Sequence, residues 1–397
     1  MPEVPPGKDD KDRRPPSALN VVPGVAGGHD GLPGGSGGRE TLPGGGEAGG
    51  RGGEAGGDQA RGGRPARREP AVAELAAGVL AGDRTLLGRA VTLIESNAPA
   101  HQERAQDLLR ELLPRAGGSI RVGVTGVPGA GKSTLVEALG CHLTAAGHQV
   151  AVLAVDPSSS RTRGSILGDK TRMEKLARDA RAFIRPSPSG GSLGGVARKT
   201  RETMLLFEAA GYDVILVETV GVGQSEAAVR SMVDFFLLVL IAGAGDELQG
   251  IKRGVMELAD AVLVNKADRD NRDAAERARA DLEMALHYMA PATPGWTTEA
   301  RAISALTGEG IGELWELIET FRAETTAGGA FDARRREQAR EWLHAMLRER
   351  VEALFHRDPR VAGLLPEVEA AVMSGDLPVT QAAWRLLHAF ENGEEEP

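Results

Sequence analysis

Gly126-Val127-Pro128-Gly129-Ala130-Gly131-Lys132-Ser133-Thr134 fits G-x-x-x-x-G-K-S/T, the pattern of a loop that cradles nucleoside triphosphate phosphates. The run before it, Ile120-Arg-Val-Gly-Val-Thr125, reads as a short buried strand. The run after it, Ser133 to Thr144, carries Leu135, Leu139 and Leu143 at helical spacing. In a strand, glycine loop and helix of this kind, the loop N–H groups and the helix N-terminus converge on the β- and γ-phosphates. Lys132 supplies a point charge, and the Ser133 hydroxyl is placed to ligate Mg²⁺.

Working outward, apolar runs alternate with helical stretches from Ile120 to about Phe321. The expected strands are Ile120–Thr125, Val150–Val155, Ala182–Ile184, Val214–Val217, Phe235–Ile241, Ala261–Val264 and Ala302–Ser304. Continuous apolar strands separated by helices predict an α/β fold of the phosphate-loop NTPase kind, with a central, mostly parallel sheet covered on both faces. Ligand loops then lie at the carboxyl ends of the strands. Residues 69–118 read as a helical preface broken at Pro99, and residues 119–328 as the nucleotide domain. Residues 329–397 read as a helical extension in which Trp342, Leu343, Met346, Leu347, Val351, Leu354 and Phe355 form an apolar stripe on a charged helix. Packing on the parent domain and service as an intersubunit arm both fit that stripe.

The first 70 of 397 residues hold 20 of the 53 glycines and 10 of the 22 prolines. That proportion, without a collagen period, predicts that residues 1–68 form a disordered Gly/Pro-rich tail. No apolar run reaches the roughly 18 residues of a membrane span, and no secretory signal is evident, so a cytoplasmic location is expected. One cysteine, Cys141, excludes an intramolecular disulfide and a multi-cysteine metal site, and His29, His287, His344 and His356 lack ligand spacing. A net charge of −9 argues against nucleic acid as a partner.

Asn265-Lys266-Ala-Asp268 follows the strand Ala261–Val264 and matches N-K-x-D, a guanine-reading element. The Asp268 carboxylate can accept from guanine N1–H and the exocyclic amine. Adenine lacks that donor pair, and an unpaired buried carboxylate costs on the order of 1–3 kcal/mol or more. Asn265 is expected to tie this loop to the phosphate loop, while the Lys266 stem lies along the base. Ser304-Ala305, after a later strand, suits a loop whose backbone N–H meets guanine O6. GTP is therefore favoured over ATP.

Glu218-Thr-Val-Gly221 ends the strand Val214–Val217, where D-x-x-G is usual in G proteins: the acid holds Mg²⁺ through water and the Gly221 N–H senses the γ-phosphate. Asp156, ending the strand Val150–Val155, and Asp169 add two acids, and acids clustered around a triphosphate imply Mg²⁺ between them. The candidate catalytic set is Lys132, Glu218, Asp156 and Asp169, and the candidate metal set is Ser133, Asp156, Asp169 and Glu218. Val222 stands where Ras-type enzymes carry a glutamine, so unaided hydrolysis should be slow. Arg161 and Arg163 fit either transition-state cations or solvated loop arginines.

These residues together resemble the MeaB/ArgK/MMAA family of GTPases over roughly Ala71 to Phe390. The resemblance is carried by Gly126–Thr134, Val155-Asp-Pro-Ser-Ser159, Gly168-Asp169, Arg185-Pro-Ser-Pro188, Gly190 to Gly195, Val217-Glu-Thr-Val-Gly-Val-Gly-Gln-Ser-Glu226, Asp246 to Gly254 and Asn265–Asp268. Glu218 in place of aspartate belongs to that family's pattern. The resemblance implies a GTP-hydrolysing chaperone of an adenosylcobalamin-dependent acyl-CoA mutase, chiefly methylmalonyl-CoA mutase. It implies switch loops at Gly221 to Arg230 and Gly243 to Gly254, and a homodimerisation arm after Phe331. No Asp-x-His-x-x-Gly anchor occurs, so cobalamin is expected on the partner. The alternative is a phosphate-loop kinase or ATPase associated with arginine and ornithine (LAO/AO-type) transport.

Overall fold

In the computed structural model, residues 69–155, 173–186, 193–219, 225–242 and 253–391 are described. Asp156, Asp169 and Gly221 lie outside them, as do residues 221–224 of the first expected switch loop and 243–252 of the second. The helical preface is α1 (Val72–Leu80), α2 (Arg84–Glu95) and α3 (Pro99–Leu112). Pro99 starts α3 at a position where its missing N–H costs nothing. Then follow β1 (Ile120–Gly126), α4 (Lys132–Ala146), β2 (Val150–Val155), α5 (Glu174–Ala177), β3 (Ala182–Arg185), α6 (Leu193–Ala209) and β4 (Val214–Thr219). Next are α7 (Ser225–Arg230), β5 (Phe235–Ile241), α8 (Arg253–Met256), β6 (Ala261–Asn265), α9 (Arg272–His287) and β7 (Glu299–Ala302). Four helices close the chain: α10 (Ile311–Ala327), α11 (Ala330–Arg357), α12 (Pro359–Ser374) and α13 (Val379–Glu391).

The seven strands form one sheet in the order β3-β2-β4-β1-β5-β6-β7, with every pairing parallel. The sheet is thus wholly, not mostly, parallel. Because strand side chains alternate between faces, each strand feeds two cores. Val150 and Val152 join Val122, Leu216, Leu237 and the inner faces of α4 and α10. Ala151, Leu153 and Val155 join Ile215, Val217, α6 and the preface helices. The preface therefore supplies one wall of the nucleotide domain's own core. Under β5 and β6, a third cluster packs against α9.

Only the last strand departs from its expected place: β7 is Glu299–Ala302, and Ser304 beyond it makes an isolated bridge to Glu309. β7 is an edge strand pairing with β6 alone, with one residue buried, so it lacks the continuous apolar run that marks the others. The central position of β1 matters for function. Its neighbours β4 and β5 belong to different halves of the chain order, so the carboxyl end of β1 opens at the point where strand order reverses.

The start of α11 is pinned at the opposite end of the sheet, against the residues that lead into β1, β5 and β6. Arg335 donates to both carboxylate oxygens of buried Asp234, at 2.8 and 2.6 Å, and to the carbonyls of Gly117 and Ser119. Arg334 pairs with the fully buried Asp260, which Arg230 at the end of α7 shares. Gln338 donates to the Val233 carbonyl at 2.8 Å. Farther along, α11 carries Leu343, Leu347, Val351 and Leu354 roughly half exposed or more. Among the described residues no helix is long and apolar enough to cross a membrane.

Candidate nucleotide-binding site

The phosphate-loop motif spans the end of β1 and the first turn of α4. Gly126 has φ 150°, and a Cβ there would lie 2.0 Å from the Val239 carbonyl oxygen of β5, so only glycine lets the loop leave the sheet this way. Gly131, in the left-handed region at φ 86°, precedes α4 as its N-cap residue, with no side chain capping the helix. The first-turn amides of α4 are thus left to an acceptor arriving from outside, the geometry of an anion site. A Cβ on Gly131 would also stand 2.7 Å from Asn265 Nδ2.

Lys132 is buried, and its Nζ donates to the carbonyls of Gly126 at 2.9 Å and Val127 at 3.1 Å. Burial pulls its ammonium below the ordinary 10.5, while the charges of Glu218 and Glu226 oppose that pull. An ammonium held in a poorly solvated loop with acids nearby is suited to a polyanion. Ser133 Oγ donates to Glu218 Oε1 at 2.6 Å. The pair meets because β4 runs beside β1 in a register that sets Glu218 opposite Val124. Beneath them, Thr219 Oγ1 bonds Thr125 Oγ1 at 3.0 Å. A hydroxyl and a carboxylate in contact at the loop are hard oxygen donors of the kind Mg²⁺ takes alongside phosphate and water.

Asn265 ends β6 and is buried. Its Nδ2 donates to the Ala130 carbonyl at 2.8 Å, and its Oδ1 accepts from the Ala305 N–H at 3.0 Å. One side chain therefore ties the phosphate loop to both loops expected at the base. Among the described residues, the only non-glycines with positive φ are Lys266 (63°) and Arg269 (50°), both in the loop after Asn265. Such backbone costs of order 1–3 kcal/mol per residue and persists where neighbours over-determine it. Here the determinants are Asn271 Nδ2, which donates to the Lys266 carbonyl at 2.9 Å, and the Ala267 N–H, which donates to the Ile303 carbonyl at 2.9 Å. Asp268 Oδ2 accepts from Ser304 Oγ at 2.6 Å, which orients its half-buried carboxylate.

The structure thus gathers Lys132, Ser133 and Glu218 at one end, and Asn265, Asp268, Ser304 and Ala305 at the other. Pro128, Gly129, Thr134 and Lys266 are exposed. The Ala305 N–H expected at guanine O6 is engaged by Asn265, so a contact to a base would have to share or exchange that bond. Sequence reasoning missed Asn271 and Thr125, whose only signal is position: one lies six residues past Asn265, the other one residue before the loop.

A family model described as "Methylmalonyl Co-A mutase-associated GTPase MeaB" matches residues 87–360. Over 312 residues the chain is 58% identical to a "Putative GTPase" of Caulobacter vibrioides, covering 79% of this chain and 95% of that protein. It is 45% identical over 331 residues to the "Methylmalonic aciduria type A homolog, mitochondrial" of Mus musculus, covering 81% of this chain and 80% of that one. A solved structure titled "Crystal structure of LAO/AO transport system kinase" superposes with a TM-score of 0.67 at 39% identity, covering 82% of this chain and 99% of that one.

Proposed function

Since the chain belongs to the MeaB family of methylmalonyl-CoA mutase-associated GTPases and hydrolyses GTP, we propose that its GTP cycle serves as a chaperone of an adenosylcobalamin-dependent acyl-CoA mutase, most simply methylmalonyl-CoA mutase. Hydrolysis would be coupled to cofactor loading and protection of the mutase, with cobalamin carried by the partner. The observation that carries this reading is the 45% identity to a methylmalonic aciduria type A homolog over four-fifths of that protein.

In this reading Lys132 Nζ leaves the Gly126 and Val127 carbonyls for the β- and γ-phosphates, and the amides of Gly129 to Thr134 line the same path. Asp268 accepts from the guanine edge while Ser304 holds its second oxygen. Mg²⁺ would be held by Ser133 and Glu218, with Asp156 and Asp169 as further acids, and would neutralise charge developing on the phosphates. Gly221 would sense the γ-phosphate just before α7, so that bound phosphate sets the position of that helix. The exposed stripe Leu343, Leu347, Val351 and Leu354 on α11 would be the homodimerisation face.

The test is a pull-down from native lysate with the chain loaded with a non-hydrolysable GTP analogue. An adenosylcobalamin-dependent acyl-CoA mutase should co-purify in a nucleotide-dependent way, and its absence refutes the chaperone reading. The relationship to the LAO/AO transport system kinase structure keeps a second reading, a phosphate-loop kinase. Phosphate transfer from ATP to an amino acid would favour it, but the Asn265 to Asp268 arrangement suits guanine rather than adenine.

A further inference from the structure

A cavity of about 800 Å³ lies where α11 crosses α6 and the end of α7. Its volume falls in the range of small-molecule sites. Its lining includes Arg198 and Arg201 of α6, Ser231 just past α7, and Trp342 of α11. Four buried side-chain polar atoms among the described residues have no hydrogen-bond partner, and three of them belong to this lining: Arg198 Nε, Arg201 Nε and Trp342 Nε1. All three are N–H donors. Folded proteins satisfy nearly all buried polar groups, so three orphaned donors around one cavity signal an absent acceptor.

The arginines show the same imbalance. Arg201 spends one terminal nitrogen on Ser231, donating to its carbonyl at 2.8 Å and its hydroxyl at 2.6 Å, and its guanidinium lies 5.6 Å from the Trp342 ring centre. Burial drags Arg201 down to about 10, with Glu341 opposing and Arg121 adding to the fall. Arg198 is half-buried, and its side chain makes no hydrogen bond or ion pair with any described residue. Glu202, one turn on, attracts Arg198 from beyond ion-pair distance, and its own carboxylate accepts from Gln106. Three acids also line the cavity, Glu341, Glu349 and Glu352, but all are exposed on α11. Of the other two arginines in the lining, Arg340 is already paired with Glu337 and Arg348 is exposed on α11.

We propose that this cavity is a second ligand site, which takes a small molecule through an anionic group, a phosphate or a carboxylate, held by Arg198, Arg201 and the Trp342 indole. The three orphaned nitrogens are themselves covered, so each N–H reaches the anion only when its own side chain rotates toward the cavity. Ala345 and Met346 supply apolar wall for a carbon skeleton. The site stands apart from the phosphate loop and owes nothing to the mutase reading. Because α6, the end of α7 and α11 all contribute, an occupant bridges the helix that follows Gly221 to the carboxyl-terminal arm.

The test uses the full chain with its phosphate loop filled by GDP, titrated with inorganic phosphate and separately with citrate, and read by intrinsic tryptophan fluorescence. The expected result is a saturable change that Trp342→Phe removes and that Arg198→Gln shifts to about tenfold higher concentration, as loss of a charge-assisted bond requires. Arg340→Gln should leave it unchanged. Preference for one titrant assigns the phosphate or the carboxylate source. As a measurement on unsubstituted protein, the same anion should protect Arg198 and Arg201 from phenylglyoxal, mapped by mass spectrometry. No saturable signal up to the order of 10 mM, a signal indifferent to Arg198→Gln, or no protection of either arginine would overturn the proposal.

Discussion

Replacing Asn265 by alanine tests the central joint of the nucleotide site. The side chain satisfies two buried backbone groups, the Ala130 carbonyl at 2.8 Å and the Ala305 N–H at 3.0 Å, and Ala130 and Ala305 are themselves buried. A buried polar group left without its partner costs about 1–3 kcal/mol, so Asn265→Ala should cost about 2–6 kcal/mol with both loops in place. In the free protein the loops can shift and let water in, which relieves part of that cost. Nucleotide binding needs them in register, so the cost falls mainly on affinity. Even the low end, at 1.4 kcal/mol per decade, raises the Kd for GDP and GTP about thirtyfold. Displacement of a fluorescent GDP analogue gives the Kd, and urea unfolding of the nucleotide-free chain gives the stability. Asn265→Asp separates the two halves, since it keeps an acceptor for Ala305 but loses the donor to Ala130. A Kd within about threefold of wild type, with an unchanged unfolding midpoint, would refute the idea that this side chain holds the site together.

Asp268→Asn should move base preference from guanine toward xanthine in competition binding; unchanged GTP selectivity removes Asp268 from the base site. Glu218→Ala should lower single-turnover GTP hydrolysis far more than GTP affinity, because Ser133 and the loop amides remain; an unchanged rate dissociates Glu218 from the reaction. Leu347→Glu should convert a dimer into a monomer in sedimentation while leaving GTP affinity intact; a dimer that survives the change places the interface elsewhere. Burial pushes the Glu202 carboxyl above its ordinary 4.5. The folded state therefore binds that proton more tightly, and stability falls as pH rises from 4.5 through the raised value. Glu202→Gln should flatten this slope in urea unfolding measured across mildly acidic pH; a slope identical to wild type contradicts it.

The site is unevenly legible in the sequence. The phosphate loop and Asn265 to Asp268 are short, contiguous and bounded by apolar runs, because backbone amides and a single carboxylate must act from one tight turn. The strands were legible for the same kind of reason: buried on both faces, they are continuous runs such as Phe235–Ile241. β7 was misplaced by three residues because an edge strand is covered incompletely and its pattern dilutes. The contact between Glu218 and Ser133, 85 residues apart, could be expected only as a role, since it depends on the β1–β4 register. Asn271 and Thr125 are marked only by their positions beside the two motifs, and the orphaned donors of Arg198, Arg201 and Trp342 have no local signature at all.

Taken alone, the sequence predicts that a triphosphate loop follows a short buried strand, that a guanine-type element follows a later one, and that helices flank them. These are local matters, decided by glycine at positive φ, by apolar periodicity and by hydrogen-bonding groups within a few residues of each other. Strand order belongs to the tertiary structure, as does the Asn265 tie across 135 residues to Ala130. So too do the preface helices building one wall of the core, and the crossing of α11 over α6 that brings three unsatisfied donors to one half-open cavity. Those depend on which faces bury against which, and burial is a property of the whole assembled sheet rather than of any stretch of chain.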